Sequence, residues 1–425
     1  YEDIRPIFQA HCQGCHQPAK DKGGYVMTDF ASLLAGGDSE KTAVVPKDAA
    51  KSHLLALITP NAKGETEMPK DKAPLSKPEI ELVQRWIAAG AIDDTPANAK
   101  AKYNVDNPPT YTLPPVITSM DYSPDGQLLA VAGFHEVLLH KADGSGLVAR
   151  LIGISERIES VRFSPDGKQL AVTGGKPARM GEVQIWNVAK QTLELSHPST
   201  FDTVYGACWS PDGQHLAFGC ADNTVRAIEV KSGRQVFFQG AHNDWVFDTA
   251  YDVKGEHLIS VGRDMTAKLT VFKTSRFVDN ITSITPKALK GGLAAIARHP
   301  KRNQILVGGS DSAPQVFRIF RQTARKIGDN ANLIRKFPEM PGRVFSVRYS
   351  SDGSVFAAGS GLDGKGQVVI FRETLPEKIP DDIQKLIAKE NLNSGETIKL
   401  DKFYLDHVKE VAKVDMGDSG IYAIA

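Results

Sequence analysis

The sequence predicts a multidomain fold in which a small all-α domain precedes an all-β propeller of seven blades, the last of them incomplete. Three observations lead to this prediction. Apolar residues follow helical spacing within residues 1–95, a stretch rich in Pro, Ala and Asn occupies residues 96–114, and one turn motif recurs through residues 115–425. We therefore expect a helical domain, a linker and a propeller in that order.

Two stronger helices and one short helix are predicted in the first domain. Apolar residues recur at helical spacing in "IRPIFQAHC", and again in "SKPEIELVQRWIAAGA". In the second stretch Ser76 is the expected N-cap, because Glu79 lies three residues later as in a capping box. Gly90 is expected to end that helix, and "SHLLALI" is the short helical segment between the two.

The stretch "CQGCH" at residues 12–16 carries the most specific chemistry in this domain. The thiols of Cys12 and Cys15 can add to the vinyl groups of haem, and His16 then reaches the iron. A zinc site needs two further ligands, for which only His11 and His53 are available nearby, and a thioredoxin-like motif needs a βαβ context that is absent. The sequence therefore predicts one covalently bound haem c.

A haem of this type normally has a second axial ligand on the other face of the iron. Met68 is the leading candidate, because it lies in a Met-Pro pair on an irregular segment just before the last helix. Met27, His53 and a site without a second protein ligand remain alternatives, and Met68 is otherwise a core residue. We predict His16 and Met68 as the iron ligands.

The propeller is predicted from internal repetition. "SPDG" occurs at residues 123, 164 and 210, and related turns begin at residues 252, 299 and 350, so the repeat length is 41–51 residues. Each turn lies between short apolar strands, and four strands per unit of this length indicate propeller blades. Six complete units precede "GIYAIA", which aligns with the first strand of a seventh. "YTLPPV" can give the outer strand of that blade, and we expect its missing strands to come from a continuation of the chain. A partner chain or an open edge at that seam is the alternative.

Two further features of the propeller sequence lead to expectations. Residues 374–415 form an insertion, in which "PDDIQKLIAKENL" predicts a short amphipathic helix that packs on the propeller wall or docks a partner. Cys208 and Cys220 lie on neighbouring strands, with Cys208 expected opposite Ala217. Because the two cysteines are out of register for a disulfide, we expect them to be small core residues.

Residues 115–425 resemble a WD-repeat propeller. The stretches "GAHNDWV", "SVGRD" and "IWNV" match the Gly-His, terminal Asp and Trp positions of that family, although most blades are degenerate. The fourth blade alone keeps His242, Ser260 and Asp264 together. We expect these three side chains to brace the blade through hydrogen bonds rather than to bind a ligand.

Residues 1–92 resemble the planctomycete-type cytochrome c domain. Three blocks occur in the family's order, beginning "IFQAHCQGCH", "KGGYVMTDFASLLAGG" and "EMPKDKAPLSKPEIELVQRWIAAGA". The resemblance implies Cys12 and Cys15 as thioether anchors and His16 and Met68 as axial ligands. It departs from the family at Lys47, where a glycine usually follows the proline.

Together the two resemblances imply an exported monohaem cytochrome c that transfers electrons, with the propeller as a docking scaffold for a redox partner or a larger redox complex. The alternative is a haem relay domain of a larger redox enzyme whose catalytic part lies in a missing extension or in a partner chain. Because c-type haem is attached outside the bacterial cytoplasmic membrane, we expect a periplasmic or otherwise exported location. The start of the chain, without Met or signal peptide, agrees with a mature form.

Composition limits the remaining classes of function and partner. A formal net charge of +1 gives no reason to expect nucleic acid or an anionic membrane as a partner. No apolar run reaches the ~18 residues of a membrane span. We find no cluster of His, Asp and Glu that indicates a second cofactor, so catalysis by the chain itself is not predicted.

Overall fold

The structure is a computed structural model that describes residues 1, 3–17, 20–94, 103–113, 115–285, 289–324, 326 and 328–425. The predicted linker at residues 96–114 lies outside the described residues at 96–102 and 114. In the described part of that stretch, the Tyr111 hydroxyl donates to Glu136 Oε1 at 2.8 Å and so contacts the first sheet.

The first domain contains short helices joined by turns. Its elements are α1 (Arg5–His11), β1 (His16–Gln17), β2 (Lys20–Asp21), a 3-10 turn (Lys22–Gly24), α2 (Phe30–Ala35), α3 (His53–Ile58) and α4 (Lys77–Ala88). The capping box predicted for α4 is confirmed, since the Ser76 N–H donates to Glu79 Oε2 at 2.7 Å. Gly90, at φ 108°, follows the end of α4 in a conformation that favours glycine.

An all-α domain is not supported. The helices are few, and a two-stranded ribbon pairs His16 with Asp21 directly after the "CQGCH" loop. Gly23 and Gly24 then take φ values of 66° and 61°, which interrupt any helix at that point.

An aromatic cluster holds the first domain together. The rings of Tyr1, Phe8, Phe30 and Trp86 pack within a core that buries the inner faces of α1 and α4. The Phe8 and Trp86 ring centroids are 6.2 Å apart, and His11 Nε2 lies 3.2 Å from Glu79 Oε1. These contacts fix the C-terminal end of α1, where Cys12 follows, against α4.

The rest of the described chain is mostly antiparallel β-sheet. The first sheet has seven strands in sequence order: β3 (Met120–Tyr122), β4 (Leu128–Ala132), β5 (Phe134–Lys141), β6 (Leu147–Phe163), β7 (Gln169–Lys176), β8 (Met180–Asn187) and β9 (Thr192–Thr200). Strand β6 is long, and its first half pairs with β5 while its second half pairs with β7. The sheet therefore comprises two four-stranded units that share one continuous strand.

Four separate four-stranded sheets follow. Their strands are β10 (Val204–Trp209), β11 (His215–Cys220), β12 (Val225–Glu229) and β13 (Gln235–Gln239); β14 (Val246–Tyr251), β15 (His257–Gly262), β16 (Ala267–Val271) and β17 (Arg276–Asn280); β18 (Leu293–Arg298), β19 (Gln304–Gly309), β20 (Gln315–Arg318) and β21 (Leu333–Lys336); and β22 (Arg343–Tyr349), β23 (Val355–Leu362), β24 (Lys365–Glu373) and β25 (Val408–Met416). Four-stranded meanders of this kind are typical of WD40 propeller blades.

The repeated turns have a shared local cause. In the first "SPDG" turn the Leu128 N–H donates to Ser123 Oγ at 2.9 Å, and Gly126 takes a φ of 70°. The same serine-to-backbone bond recurs in the turns at residues 164, 210 and 350. Each hairpin is thus closed by its own side chains, as the sequence pattern predicts.

The predicted insertion at residues 374–415 holds two helices and most of β25. The expected amphipathic helix is α5 (Asp381–Ile387), and α6 (Ser394–Asp406) follows it. Counting the four-stranded units along the chain, the fifth is β18–β21 and the sixth is β22–β25. Asp401 Oδ2 on α6 lies 2.5 Å from Arg318 Nε on β20, and Leu405 is buried in the core shared by the fifth and sixth units. Helix α6 therefore packs on the outer wall of the propeller.

Cys208 lies opposite Ala217, as expected, and Cys220 lies opposite Val204. Both cysteines are free, and Cys220 is fully buried. Their interpretation as core residues is confirmed.

The first strands of successive units surround one central cavity, which we call the channel. Its volume is about 260 Å³, and it is lined by β3, β6, β10, β14, β18 and β22 together with residues 422–424. A repeated bond joins neighbouring inner strands. Oxygens of Ser119, Ser160 and Asp248 accept the N–H groups of Val161, Ala207 and Ile296 at 3.1, 3.4 and 3.3 Å.

The C-terminal segment takes part in the same pattern. The Ile424 N–H donates to Ser346 Oγ at 3.1 Å, and the Ile421 N–H donates to the Ser360 carbonyl at 3.1 Å. Residues 421–424 therefore lie beside the sixth unit where the inner strand of a further unit is expected.

Candidate functional site

The "CQGCH" loop begins where α1 ends. The N–H groups of Cys15 and His16 both donate to the Cys12 carbonyl, at 3.0 and 3.1 Å, so the loop is a tight turn. Cys12 packs against the core of the first domain, and this burial raises the pKa of its thiol to about 12. Redox cysteines of the thioredoxin type have a lowered thiol pKa instead.

His16 is held in one tautomer. Its Nδ1 lies 3.3 Å from the Tyr25 carbonyl oxygen, which can only accept, so Nδ1 donates and Nε2 carries the lone pair of the neutral ring. Burial lowers the pKa of His16, which favours the neutral imidazole. The Tyr25 hydroxyl in turn donates to the Leu33 carbonyl at 2.8 Å. A neutral imidazole oriented by a carbonyl is the form that metal ligands take.

Met68 and its alternatives occupy different environments. Met68 is partly buried, packs against the same core as Cys12, and donates its N–H to the Leu57 carbonyl at 3.0 Å. Met27 is only 1% exposed and is a core residue. His53 is the first residue of α3 and is half-buried. The structure thus brings Cys12, Cys15 and His16 into one loop, with Met68 on the shared core.

The loop also contacts the propeller, which the sequence did not indicate. Gly14 lies against β9, where an added Cβ would be 2.4 Å from the Ser196 carbonyl oxygen. Lys20 Nζ donates to the Glu194 carbonyl on the same strand. Only glycine permits this approach of loop and strand.

A group of aromatic side chains surrounds one mouth of the channel. We call Tyr205, Trp245, Phe247, Phe345 and Tyr422 the aromatic rim. Ring centroids are 5.3 Å apart for Tyr205 and Phe247, and 4.8 Å apart for Phe345 and Tyr422. Tyr205, Phe247 and Phe345 lie within the first three residues of β10, β14 and β22. Trp245 directly precedes β14, and Tyr422 lies in the C-terminal segment beside the sixth unit.

The rim is accessible at its outer edge. Trp245 is 38% exposed, and the Arg263 guanidinium carbon lies 5.2 Å from the centre of its ring. Large exposed aromatic side chains beside arginine are enriched in protein–protein interfaces. The signal was present in the repeats, because "VYGA", "VFDT" and "VFSV" place an aromatic residue at one equivalent position.

The fourth unit shows the expected bracing network. His242 Nε2 lies 2.7 Å from Ser260 Oγ, and His242 Nδ1 lies 3.1 Å from both Asp264 carboxylate oxygens. Asp264 also accepts from the Thr266 hydroxyl at 2.7 Å and from the Asn243 N–H at 3.0 Å. Burial raises the pKa of Asp264, but the hydrogen bonds and the charge of His242 outweigh it and lower the pKa to about 2.

Two family models match parts of the chain. A model described as planctomycete cytochrome C matches residues 12–72, and one described as the anaphase-promoting complex subunit 4 WD40 domain matches residues 178–253. The first match spans all four predicted haem ligands and anchors. The resemblance to both families is thus supported, whereas their fusion is supported only in part.

Curated relatives match segments of the chain and are WD-repeat proteins. A subunit of chromatin assembly factor 1 from Gallus gallus is 27% identical over 99 residues, which cover 23% of this chain and 17% of the relative. Periodic tryptophan protein 2 of Arabidopsis thaliana is 26% identical over 143 residues, which cover 34% of this chain and 15% of the relative. Coronin-7 of Bos taurus is 28% identical over 205 residues, which cover 44% of this chain and 20% of the relative. The chain therefore spans less than a quarter of the length of these relatives.

These relatives overturn two predictions. The expected exported electron-transfer cytochrome, with its alternative as a haem relay, is wrong, because the relatives are eukaryotic WD-repeat proteins and indicate a protein-interaction scaffold. The expected bacterial periplasmic location is wrong for the same reason. A five-residue motif predicts a cofactor, but it does not specify what the protein does or where it is located.

The expected redox partner stays a prediction. Within the described residues, no helix is long and apolar enough to span a membrane.

Proposed function

We propose that this chain is a protein-interaction scaffold whose propeller docks a partner protein at the aromatic rim. The observation that carries the proposal is the convergence of four aromatic side chains on the channel, with the accessible Trp245 packed against two of them, Tyr205 and Phe247. The relatives support the same class, since one is named as a subunit of an assembly factor.

The rim has the physical properties of an interface centre. Few residues carry most of the binding energy in an interface, and Trp, Tyr and Arg are enriched among them. The rim strands β10 and β14 are each joined to a neighbouring inner strand by a side-chain-to-backbone bond, which holds the aromatic rings on a firm support. A rigid surface loses little conformational entropy when a partner binds.

The chain offers a matched control for a test of the rim. Phe238 lies on the outer strand β13, is 49% exposed, and has the Arg226 guanidinium carbon 5.5 Å from its ring centre. It repeats the Trp245–Arg263 pair away from the channel.

The test is quantitative co-purification from the source cells with wild type, Trp245→Ala and Phe238→Ala. We expect Trp245→Ala to reduce recovery of a defined partner by roughly tenfold or more, the loss typical of an interface hot spot. We expect Phe238→Ala to recover the partner as wild type does. Equal recovery with all three proteins would overturn the proposal, and so would a selective loss with Phe238→Ala.

We further infer that the propeller has seven blades. The Ser346–Ile424 bond repeats the bond between earlier inner strands and supports residues 420–425 as the inner strand of a seventh blade. In this proposal residues 1–95, 96–114 and 115–425 are domain, linker and propeller.

We also propose that Cys12 and Cys15 hold one haem c, with His16 and Met68 as its iron ligands. The donor set fits the group: the loop carries both thiols, His16 Nε2 carries the lone pair of the neutral ring, and Met68 shares a core with Cys12. Bound haem supplies an iron centre. Cys12 and Cys15 would anchor it by adding their thiols across its two vinyl groups, and the Tyr25 carbonyl holds the ring of His16.

The haem proposal has its own test. The chain is produced together with a haem-attachment system and its mass is measured under denaturing conditions. We expect wild type and Cys220→Ser to carry one covalent haem, and a Cys12→Ser, Cys15→Ser double variant to carry none. Met68→Ala should keep the haem but shift its visible spectrum, because the distal ligand changes. Wild-type protein that leaves the attachment system without haem would overturn the proposal.

A further inference from the structure

Two arginine side chains line the channel below the aromatic rim. Arg162 on β6 and Arg348 on β22 are both half-buried, and both belong to the wall of the cavity. One nitrogen of Arg162 donates to Ser119 Oγ at 3.0 Å and to the Val161 carbonyl at 2.8 Å. One nitrogen of Arg348 donates to the Val347 carbonyl at 3.4 Å. Each guanidinium has five N–H groups, and most of them take no part in these three bonds.

The acidic groups near these arginines are engaged by backbone. Asp121 accepts from the Phe163 N–H at 2.8 Å. Asp248, which is 6% exposed, accepts from the N–H groups of Thr249 at 2.9 Å and Ile296 at 3.3 Å. Within the part of the chain that the structure describes, neither arginine lies within ion-pair distance of a carboxylate, although the charge of Asp248 acts on both of them and that of Asp121 acts on Arg348. The channel therefore holds two guanidinium groups without a directly bonded anionic partner.

The electrostatics of the channel favour an added negative charge. Burial and the neighbouring charge of Arg162 lower the pKa of Arg348 to about 10. Burial raises the pKa of Asp248 and of Glu159, the acidic residues of the channel wall, while the charges of Arg162 and Arg348 act in the opposite direction on Asp248. Two positive charges that lie close together in a poorly hydrated site repel each other, and an anion that binds between them reduces this repulsion.

We propose that the channel is a binding site for a small oxyanion, a carboxylate or phosphate group held by Arg162 and Arg348. Guanidinium groups match the geometry of both oxyanions, because two parallel N–H groups meet two oxygens. The volume of about 260 Å³ lies just below that of typical ligand pockets, so the ligand is a small anion rather than a large cofactor. The site does not depend on partner docking at the rim.

The test is isothermal titration calorimetry of the whole chain with inorganic phosphate and with succinate, at constant chloride ionic strength. We expect one saturable site for at least one of the two anions. We expect Arg348→Gln to weaken binding by roughly tenfold or more, because it removes a buried charged contact. Arg348→Lys keeps the charge but loses the paired geometry, so we expect it to lie between Arg348→Gln and wild type. Arg276→Gln, on the exposed start of β17, is the control and should bind as wild type does.

The outcomes separate the sources of the oxyanion. Binding of phosphate alone assigns a phosphate ligand, binding of succinate alone assigns a carboxylate, and binding of both assigns the shared oxyanion chemistry. No saturable binding of either anion would overturn the proposal. Equal loss in Arg348→Gln and Arg276→Gln would also overturn it, because the effect would then be one of net charge. If Arg348→Gln does not fold, Arg162→Lys is measured in the same way, with the same expected intermediate affinity.

Discussion

Replacement of Asp264 by asparagine tests the bracing network of the fourth unit most sharply. Asparagine keeps the shape and one oxygen acceptor but removes the negative charge that His242, Thr266 and Asn243 contact. A carboxyl pKa lowered from 3.8 to about 2 corresponds to at most ~2.5 kcal/mol of stability at neutral pH. Residual solvent screening reduces this, so we expect Asp264→Asn to lower the free energy of unfolding by about 1–2 kcal/mol.

The stabilisation that the Asp264 carboxylate supplies should depend on pH in one direction. Because the pKa of Asp264 is lowered in the folded state, the stabilisation is complete above its ordinary value of 3.8 and is lost as the pH falls through about 2. The difference between wild type and Asp264→Asn should be constant from pH 7 to pH 5 and should shrink below pH 4.

The assay for this prediction is urea unfolding at pH 7, 5 and 3.5, followed by tryptophan fluorescence. The neighbouring Asp244, whose side chain is 39% exposed and pairs with Arg263 at 3.6 Å, provides the control. Asp244→Asn should change the free energy of unfolding by less than about 0.5 kcal/mol, as exposed pairs do. The reasoning is refuted if both variants lose the same stability, or if the difference grows as the pH falls.

Three further predictions concern other parts of the structure. Ser346→Ala removes the acceptor of the Ile424 N–H, so amide exchange in residues 420–425 should accelerate by about three- to tenfold, and unchanged exchange would show that the bond does not hold the segment. Burial raises the pKa of the Glu182 carboxyl above its ordinary value of 4.5, so wild type should lose stability as the pH rises above that value. The Glu182→Gln variant should not show this loss. Unfolding midpoints that change in parallel for the two proteins between pH 5 and 8 would contradict the prediction. Gly14→Ala places a Cβ against the Ser196 carbonyl, so limited proteolysis should cut the loop at residues 12–16 faster than in wild type. An unchanged rate would show that the loop does not depend on this contact.

Most of the local structure follows from residues close in sequence. The hairpins at residues 123, 164, 210 and 350 are closed by their own serine and glycine residues, so the repeat alone predicts them. The capping box at Ser76 is local in the same way. By contrast, strands β1 and β2 have two residues each and no periodicity, and the continuity of β6 across two units depends on how neighbouring sheets meet.

The contacts that form the candidate sites depend on ring closure. "SVRF" at residues 160–163 and "SVRY" at residues 346–349 are equivalent in the repeat, so their shared arginine is visible in the sequence. That Arg162 and Arg348 line one cavity is not visible, because they are far apart along the chain and meet only across the channel. The approach of Gly14 to Ser196 is likewise a long-range contact without a sequence pattern.

The proposed function is tested most directly by hydrogen–deuterium exchange of the chain alone and in complex with the partner that co-purifies with it. A partner docked at the aromatic rim should protect peptides that cover residues 201–206, 242–247 and 343–346, while the outer strands β13 and β17 exchange as in the free chain. Protection confined to the outer strands, or no protection at the rim, would contradict the account of the propeller as a scaffold that binds at this mouth of the channel.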